Sequence, residues 1–270
     1  MTHATAGGAP APGTPFPEPD AIFHELMGIL ERDPATRELL QFRSMVTAAQ
    51  YRRLYRLAET YVRRGSHVLD WGCGNGHFSY ALHRMGYDVE GFSFHDFGLR
   101  RHLGEGYRFT LGEPDEPVKL PYADATFEGV FSVGVLEHVR EFGGTELGSL
   151  REIGRILKPG GHFVCYHFPN QGSLVERVNT AAKRHFHLYR YTADDIRALC
   201  RDAGLELREV RRYAALPRNV FGRLPRPLNA RASLAHAYDL LDNTLGRVLS
   251  PWCQNYLFVA RRPGGPHPSR

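Results

Sequence analysis

Apolar residues recur at helical intervals through residues 21–64. Ile22, Phe23, Leu26, Ile29 and Leu30 form one stripe, and Met45, Tyr51, Leu54, Tyr55, Leu57, Ala58 and Tyr61 form a second. Gaps of three and four put such residues on one face, so both stretches are predicted helical. The period changes after Arg64-Gly65. A short apolar burst over 66–70 predicts a strand, the glycine-rich segment 71–76 a turn, and 77–85 a return to helical spacing. Strand-like runs recur at 88–94, 127–133, 162–168, 205–210 and 255–260. Between them lie two further predicted helices. One covers 147–157, with Leu150, Ile153 and Leu157 on one face, and is closed by the turn Lys158-Pro-Gly-Gly161. The other runs from Thr192 to Gly204, with Thr192 as its cap and Asp195 three residues on. Strands alternating with helices of about 10–15 residues predict an α/β fold with a parallel sheet and crossover helices. No internal repeat interrupts the pattern.

Around this core the chain changes character. In residues 1–20, eight are Gly or Pro, and the segment lacks the basic and apolar regions of a secretory signal; it reads as a disordered leader. The predicted organisation is then a helical cap over 21–64, an α/β core over 65–215, an insertion over 216–252, a last core strand over 253–262 and a disordered tail over 263–270. The insertion ends in an amphipathic segment, 235–248. Leu234, Tyr238, Leu241, Leu245 and Val248 line one side of it, which predicts a cover over a site or a dimer surface.

Composition narrows the class. Of 270 residues, 42% are hydrophobic and 23% charged, which excludes wholesale disorder. No apolar stretch approaches the ~18–20 residues that span a bilayer, so no membrane insertion is expected. Four scattered cysteines, none in a C-x-x-C pair, give neither a disulfide scaffold nor a zinc signature, and a reducing, cytoplasmic setting is expected. The formal charge of +5 permits an anionic partner without requiring one. Nine arginines between 197 and 231 face only Asp202, Glu206 and Glu209, which reads either as a solvated basic face or as a site for an anionic acceptor.

The sharpest chemical signal is Val-Leu-Asp-Trp-Gly-Cys-Gly-Asn-Gly over 68–76. Glycines 72, 74 and 76 let backbone approach a ligand closely, and the start of the following helix offers amide donors. The spacing is G-x-G-x-G rather than the dinucleotide fingerprint G-x-G-x-x-G. Asp70 immediately before the loop would repel a pyrophosphate but suits a cationic amino group.

This segment resembles motif I of the class I S-adenosylmethionine-dependent methyltransferases, and the resemblance extends downstream. Leu-Pro-Tyr-Ala-Asp-Ala-Thr-Phe-Glu over 120–128, followed by 129–139, is similar to the family's passage through its fourth strand. Residues 150–161 resemble its helix and turn before the fifth strand, and 187–204 the run before the sixth. The resemblance implies a Rossmann-like seven-stranded sheet with the last strand antiparallel, and S-adenosyl-L-methionine bound over the carboxyl ends of the first strands. It places Asp70, Trp71, Gly72, Gly74 and Gly76 around the methionine end and Val133 and Gly134 beside the sulfonium. The family's ribose-binding acid at the end of strand two is replaced by Ser93, next to Phe94, and a serine cannot take both ribose hydroxyls as a carboxylate does. Glu113 and Glu116 both stand where an acid near the adenine amino group is expected.

Methyl transfer to a hydroxyl is helped by a base within hydrogen-bond reach. His138, after the fourth strand, is the first candidate and His167, at the end of the fifth, the second, with Tyr166 expected on the opposite strand face. His185 and His187 flank Phe186 in a loop that could cover the acceptor, although a solvated loop is the simpler reading; Glu137 reads as a helix support. The expected function is O-methylation of a small molecule by in-line transfer, in a monomer or homodimer. Two alternatives stay open: a tRNA or protein methyltransferase, and a methyltransferase-like binding module without catalysis. The arginine-rich stretch lacks the interleaved aromatics of a nucleic-acid platform, which argues against the tRNA reading.

Overall fold

In the computed structural model, residues 15–104, 106–183, 187–218, 221 and 230–264 are described. The chain divides into two compact units, Met1–Leu111 with Arg218–Tyr238, and Gly112–Pro217 with Asp239–Arg270.

The first unit opens with helix α1 (Pro19–Arg32), whose proline at the first turn costs no backbone hydrogen bond. Ile22, Phe23, Leu26 and Ile29 are buried along one face. The Phe23 ring packs on Phe42 and Tyr55, at centroid distances of 6.1 and 5.4 Å. Pro34 ends the first helical run. The chain then proceeds through short 3-10 turns and α2 (Met45–Ala48), capped by the Ser44 hydroxyl, to α3 (Arg52–Tyr61). Two carboxylates fasten these helices. Asp20 accepts two hydrogen bonds from the Arg52 guanidinium (2.6 and 2.8 Å). Glu25 holds both Arg84 (2.8 and 3.0 Å) and the Tyr80 hydroxyl (2.9 Å) on α4 (His77–Arg84). The sheet of this unit consists of β1 (His67–Trp71), β2 (Asp88–Ser93) and β3 (Arg108–Leu111), all parallel.

In the second unit, β4 (Phe127–Val133) pairs in parallel with β5 (Leu157–Pro169), and β7 (Asn255–Arg261) runs antiparallel to both β5 and β6 (Glu206–Tyr213). Helices α5 (Glu146–Ile156), α6 (Leu174–Ala181) and α7 (Ala193–Asp202) connect these strands. Thr192 and Asp195 form the predicted reciprocal cap of α7. The seven strands follow the order β3-β2-β1-β4-β5-β7-β6, with β7 the antiparallel member, as the sequence predicts. No helix among the described residues is long and apolar enough to cross a membrane.

Five local features differ from the sequence reading. Phe16 stacks on Tyr87 and α1 begins at Pro19, so ordered packing starts before the predicted boundary at residue 20; residues 1–14 lie outside the described residues. The Lys158-Pro-Gly-Gly161 segment is part of β5 rather than a turn between elements, because Gly160 and Gly161 exchange backbone hydrogen bonds with Arg262. The final helix, α8 (Ala232–Val248), forms as expected, but Leu241 and Val248 of its predicted stripe are exposed. Ala235 and Asp242 are buried there, and Asp242 Oδ1 accepts the Leu216 amide at 2.8 Å. A strand was not expected at β3, and a helix was not expected at α6.

Candidate active site

The glycine loop joins β1 to α4 in the first unit. Gly72 and Cys73 both donate their amides to the Phe92 carbonyl (2.8 and 2.9 Å), pinning the loop's first turn to β2. Gly72, Gly74 and Gly76 all take positive φ, at 70°, 53° and 78°. Gly76 also needs its missing side chain, because a Cβ there would overlap the Phe97 ring. Gly74 is different: a Cβ would meet nothing nearer than the Gly72 carbonyl, at 3.8 Å. The space beside Gly74 is therefore open, and among the described residues the Gly74 and Asn75 amides have no backbone acceptor. Such a cradle of left-handed backbone with available N–H groups suits a carboxylate. These features fit the amino-acid end of S-adenosylmethionine.

Asp70 is the penultimate residue of β1 and is 1% exposed. Its Oδ2 accepts the Ser79 hydroxyl at 2.7 Å, and the Tyr107 hydroxyl donates in turn to Ser79 at 3.1 Å. Gly91 on β2 gives Tyr107 its passage, since a Cβ there would overlap the phenol oxygen. Burial raises the Asp70 pKa from an ordinary 3.8 to about 7, against the lowering effect of Ser79. Trp71 is buried beside it. Ser93 is buried at the end of β2 and accepts the His95 amide at 3.4 Å, while Phe94 meets Phe92 edge to face. Sequence reading found Asp70 and the glycines but not Ser79 or Tyr107, whose meeting depends on a tertiary approach with no local signature.

In the second unit, Val133 ends β4 and Gly134 follows at φ 69°, its amide donated to the Tyr166 carbonyl at 2.9 Å. Glu113 is exposed, and Glu116 is exposed and paired with Lys119 at 2.9 Å. A 3-10 turn over Leu136–Phe142 then carries Glu137 and His138. Glu137 is buried, its Oε2 has no hydrogen-bond partner, and burial pushes its pKa up to about 8. His138 Nδ1 lies 2.9 Å from Glu141, so it carries the proton and leaves the Nε2 lone pair as the acceptor. The ring centroid of His187 is 5.5 Å from that of His138. Glu176 grips His187 through both its backbone N–H (2.9 Å) and its Nδ1 (3.1 Å). Burial alone would lower the His187 pKa, but the Glu176 contact outweighs it and the net direction is upward. The solvated loop expected around His187 is thus a tethered residue; His185 lies outside the described residues.

His167 sits in a bulge of β5 at φ 67°, so strict strand alternation with Tyr166 does not apply. The Tyr213 hydroxyl accepts the His167 amide and donates to its Nδ1, both at 2.9 Å, and Asn255 Nδ2 lies 3.4 Å from the same nitrogen. Two donors at Nδ1 leave the proton of the neutral ring on Nε2. His167 therefore presents a donor there. Four of the nine arginines in the arginine-rich stretch pair with neighbouring acids, Arg197 with Asp194, Arg201 with Asp202, Arg208 with Glu206 and Arg211 with Glu209, while Arg212 meets the Tyr256 hydroxyl. Arg223 and Arg226 lie outside the described residues.

Comparison with known proteins agrees with this geometry. A family signature described as "Methyltransferase domain" matches residues 42–210. The chain is 30% identical over 168 residues to demethylmenaquinone methyltransferase of Symbiobacterium thermophilum, covering 57% of this chain and 63% of the relative. It is 28% identical over 157 residues to 27-O-demethylrifamycin SV methyltransferase of Amycolatopsis mediterranei, covering 54% of this chain and 56% of the relative. The match thus spans less than two thirds of either relative. In fold the chain is similar to Burkholderia thailandensis 1,6-didemethyltoxoflavin-N1-methyltransferase, which was solved with S-adenosylhomocysteine bound. That similarity has a TM-score of 0.51 at 20% identity, over 95% of this chain and 94% of the other. Strand order, glycine loop and the signature across more than half of its length agree: the chain belongs to the class I S-adenosylmethionine-dependent methyltransferase family.

Proposed function

We propose that the chain transfers a methyl group from S-adenosylmethionine to a hydroxyl of a small molecule. The observation that carries the reading is the open cradle at Gly74, in a chain whose family uses this donor. When bound, the donor supplies a methyl carbon already activated by a sulfonium. The protein's part is to align the partners, exclude water and manage the acceptor's proton.

Asp70 and Trp71, with the left-handed loop of Gly72, Gly74 and Gly76 and the amides of Gly74 and Asn75, would hold the amino-acid end. Ser93 and Phe94 would meet the ribose and base, Glu113 rather than the Lys119-paired Glu116 the adenine amino group, and Val133 and Gly134 the sulfonium side. His138 is the proposed base, because its hydrogen bond to Glu141 leaves Nε2 as a proton acceptor. The contact of the Tyr213 hydroxyl with its Nδ1 supports a donor's role for His167. The relatives' own printed substrates, a demethylmenaquinone and a demethylated rifamycin, support a small acceptor. The pairing of four of the nine arginines with neighbouring acids supports the solvated-face reading for that part of the stretch.

The test is methyl transfer from isotopically labelled S-adenosylmethionine to a panel of phenols, quinols, hydroxylated polyketides, amines and bulk tRNA. Label is expected in hydroxylated small molecules, and His138→Ala should lower that turnover about 100-fold. Label confined to tRNA or amines would overturn the assignment, as would full activity in the His138 variant.

A further inference from the structure

Beside β4, three potential metal ligands converge. Ligand atoms of Glu137, His138 and His187 all lie within 4.8 Å of one another. We propose that these residues form a binding site for a divalent transition-metal ion of the zinc class, with Glu141 and Glu176 as its supporting carboxylates.

Three observations carry this inference. The first is the donor set: two imidazoles and one carboxylate suit zinc, cobalt(II) or iron(II) and are poorly matched to magnesium, which prefers an all-oxygen shell. The second is the arrangement behind the ligands. His138 Nδ1 faces Glu141 at 2.9 Å and His187 Nδ1 faces Glu176 at 3.1 Å. Metal-binding histidines characteristically donate their remote N–H to a carboxylate, which fixes the tautomer and aims the other nitrogen at the ion. Here both candidate histidines have that support, and Glu176 is further secured by the Ser173 hydroxyl-capped start of α6 and the His187 amide. The third is Glu137. Its side chain is 1% exposed, its Oε1 lies 4.0 Å from His138 Nε2, and its Oε2 has no hydrogen-bond partner. A buried carboxylate oxygen without a partner is costly unless a cation or donor satisfies it.

In the proposed site each imidazole ligates through Nε2, with Glu137 as the third ligand. Around a tetrahedral zinc with bonds of ~2.0 Å the ligand atoms would stand about 3.3 Å apart, so the two partly exposed rings must swing inward. Three protein ligands leave at least one position for water or an acceptor oxygen, as in catalytic rather than structural zinc sites. Gly134 adjoins the cluster: a Cβ on it would lie 3.7 Å from Glu137 Oε1. The ion and a proton compete for Nε2 of His138, but the two roles are read separately, one by turnover and the other by spectroscopy.

The experiment titrates cobalt(II) into the tag-free, chelator-treated full chain and follows visible absorption and bound metal per chain. Wild type should bind one cobalt with the absorption of a low-coordinate site, resist a large excess of magnesium, and yield the ion to zinc. His187→Ala and Glu137→Gln should each weaken binding by more than tenfold, and Glu176→Gln by about tenfold, through loss of the imidazole's support. Thermal melts identify any variant that fails to fold; His187 keeps 23% of its side chain exposed, and its variant decides the matter if Glu137→Gln or the buried Glu176→Gln does not fold. Stoichiometric binding unaffected by His187→Ala would show that other histidines hold the metal, and absence of binding by folded wild type at millimolar cobalt would equally overturn the site.

Discussion

Gly74→Leu is expected to leave the fold standing and to abolish binding of the methyl donor. The structure separates these effects. At Gly74 an added Cβ meets no neighbour closer than 3.8 Å, so the cost at that atom is the left-handed backbone, φ 53°, and amounts to about 1–2 kcal/mol. The same side chain fills the open space beside the loop amides. Wild type should gain about 2.7 kcal/mol from S-adenosylhomocysteine at a hundred times its dissociation constant, a shift of several degrees in melting temperature. The variant should gain nothing and lose methyl transfer. Gly76→Leu is the contrast: it must displace the Phe97 ring, so its effect falls on stability first. A Gly74 variant that keeps the ligand-induced shift would show that the donor does not use this loop.

The second large effect is tied to pH. Asp70 is buried with a pKa near 7, far above its ordinary 3.8. Between about pH 4 and 7 the folded chain holds a proton that the unfolded chain has released. Stability therefore falls as pH rises through this window and is level above it. About three pH units at roughly 1.4 kcal/mol each give about 4 kcal/mol at most. In Asp70→Asn this dependence should vanish, so urea unfolding at pH 4.5, 6 and 7.5 should show wild type losing stability relative to the variant. Parallel pH profiles would contradict the buried, proton-holding state. The same group predicts the ligand's behaviour. A cationic amino group beside Asp70 favours the carboxylate, so donor affinity should rise with pH through 7 in wild type and stay flat in Asp70→Asn.

What the sequence made legible follows from where its constraints are local. The burst at 66–70, the glycines after it and the reciprocal cap at Thr192 and Asp195 each write their structure in neighbouring residues, and all three appear as read. Strand β3 escaped because it is four residues long, lies at the sheet edge and buries neither end, so it carries no core pattern. Helix α6 escaped for a related reason: Leu174 and Val178 have helical spacing, but both are exposed. At the site, Asp70 announced itself by position, whereas its environment depends on Ser79 and on Tyr107, 28 residues beyond Ser79, reaching past Gly91. The histidines were visible as residues but not as bases or donors. Their tautomers are set by Glu141, Glu176 and Tyr213, and only folding brings Glu176 to His187 and Tyr213 to His167.

Methyl transfer by this chain depends on association of the donor with the loop between β1 and α4. Isothermal titration of the purified, cofactor-stripped chain with S-adenosylhomocysteine tests this most directly. Heat of binding that saturates at one molecule per chain is expected; a folded chain that gives no heat across the millimolar range would contradict donor binding at this loop.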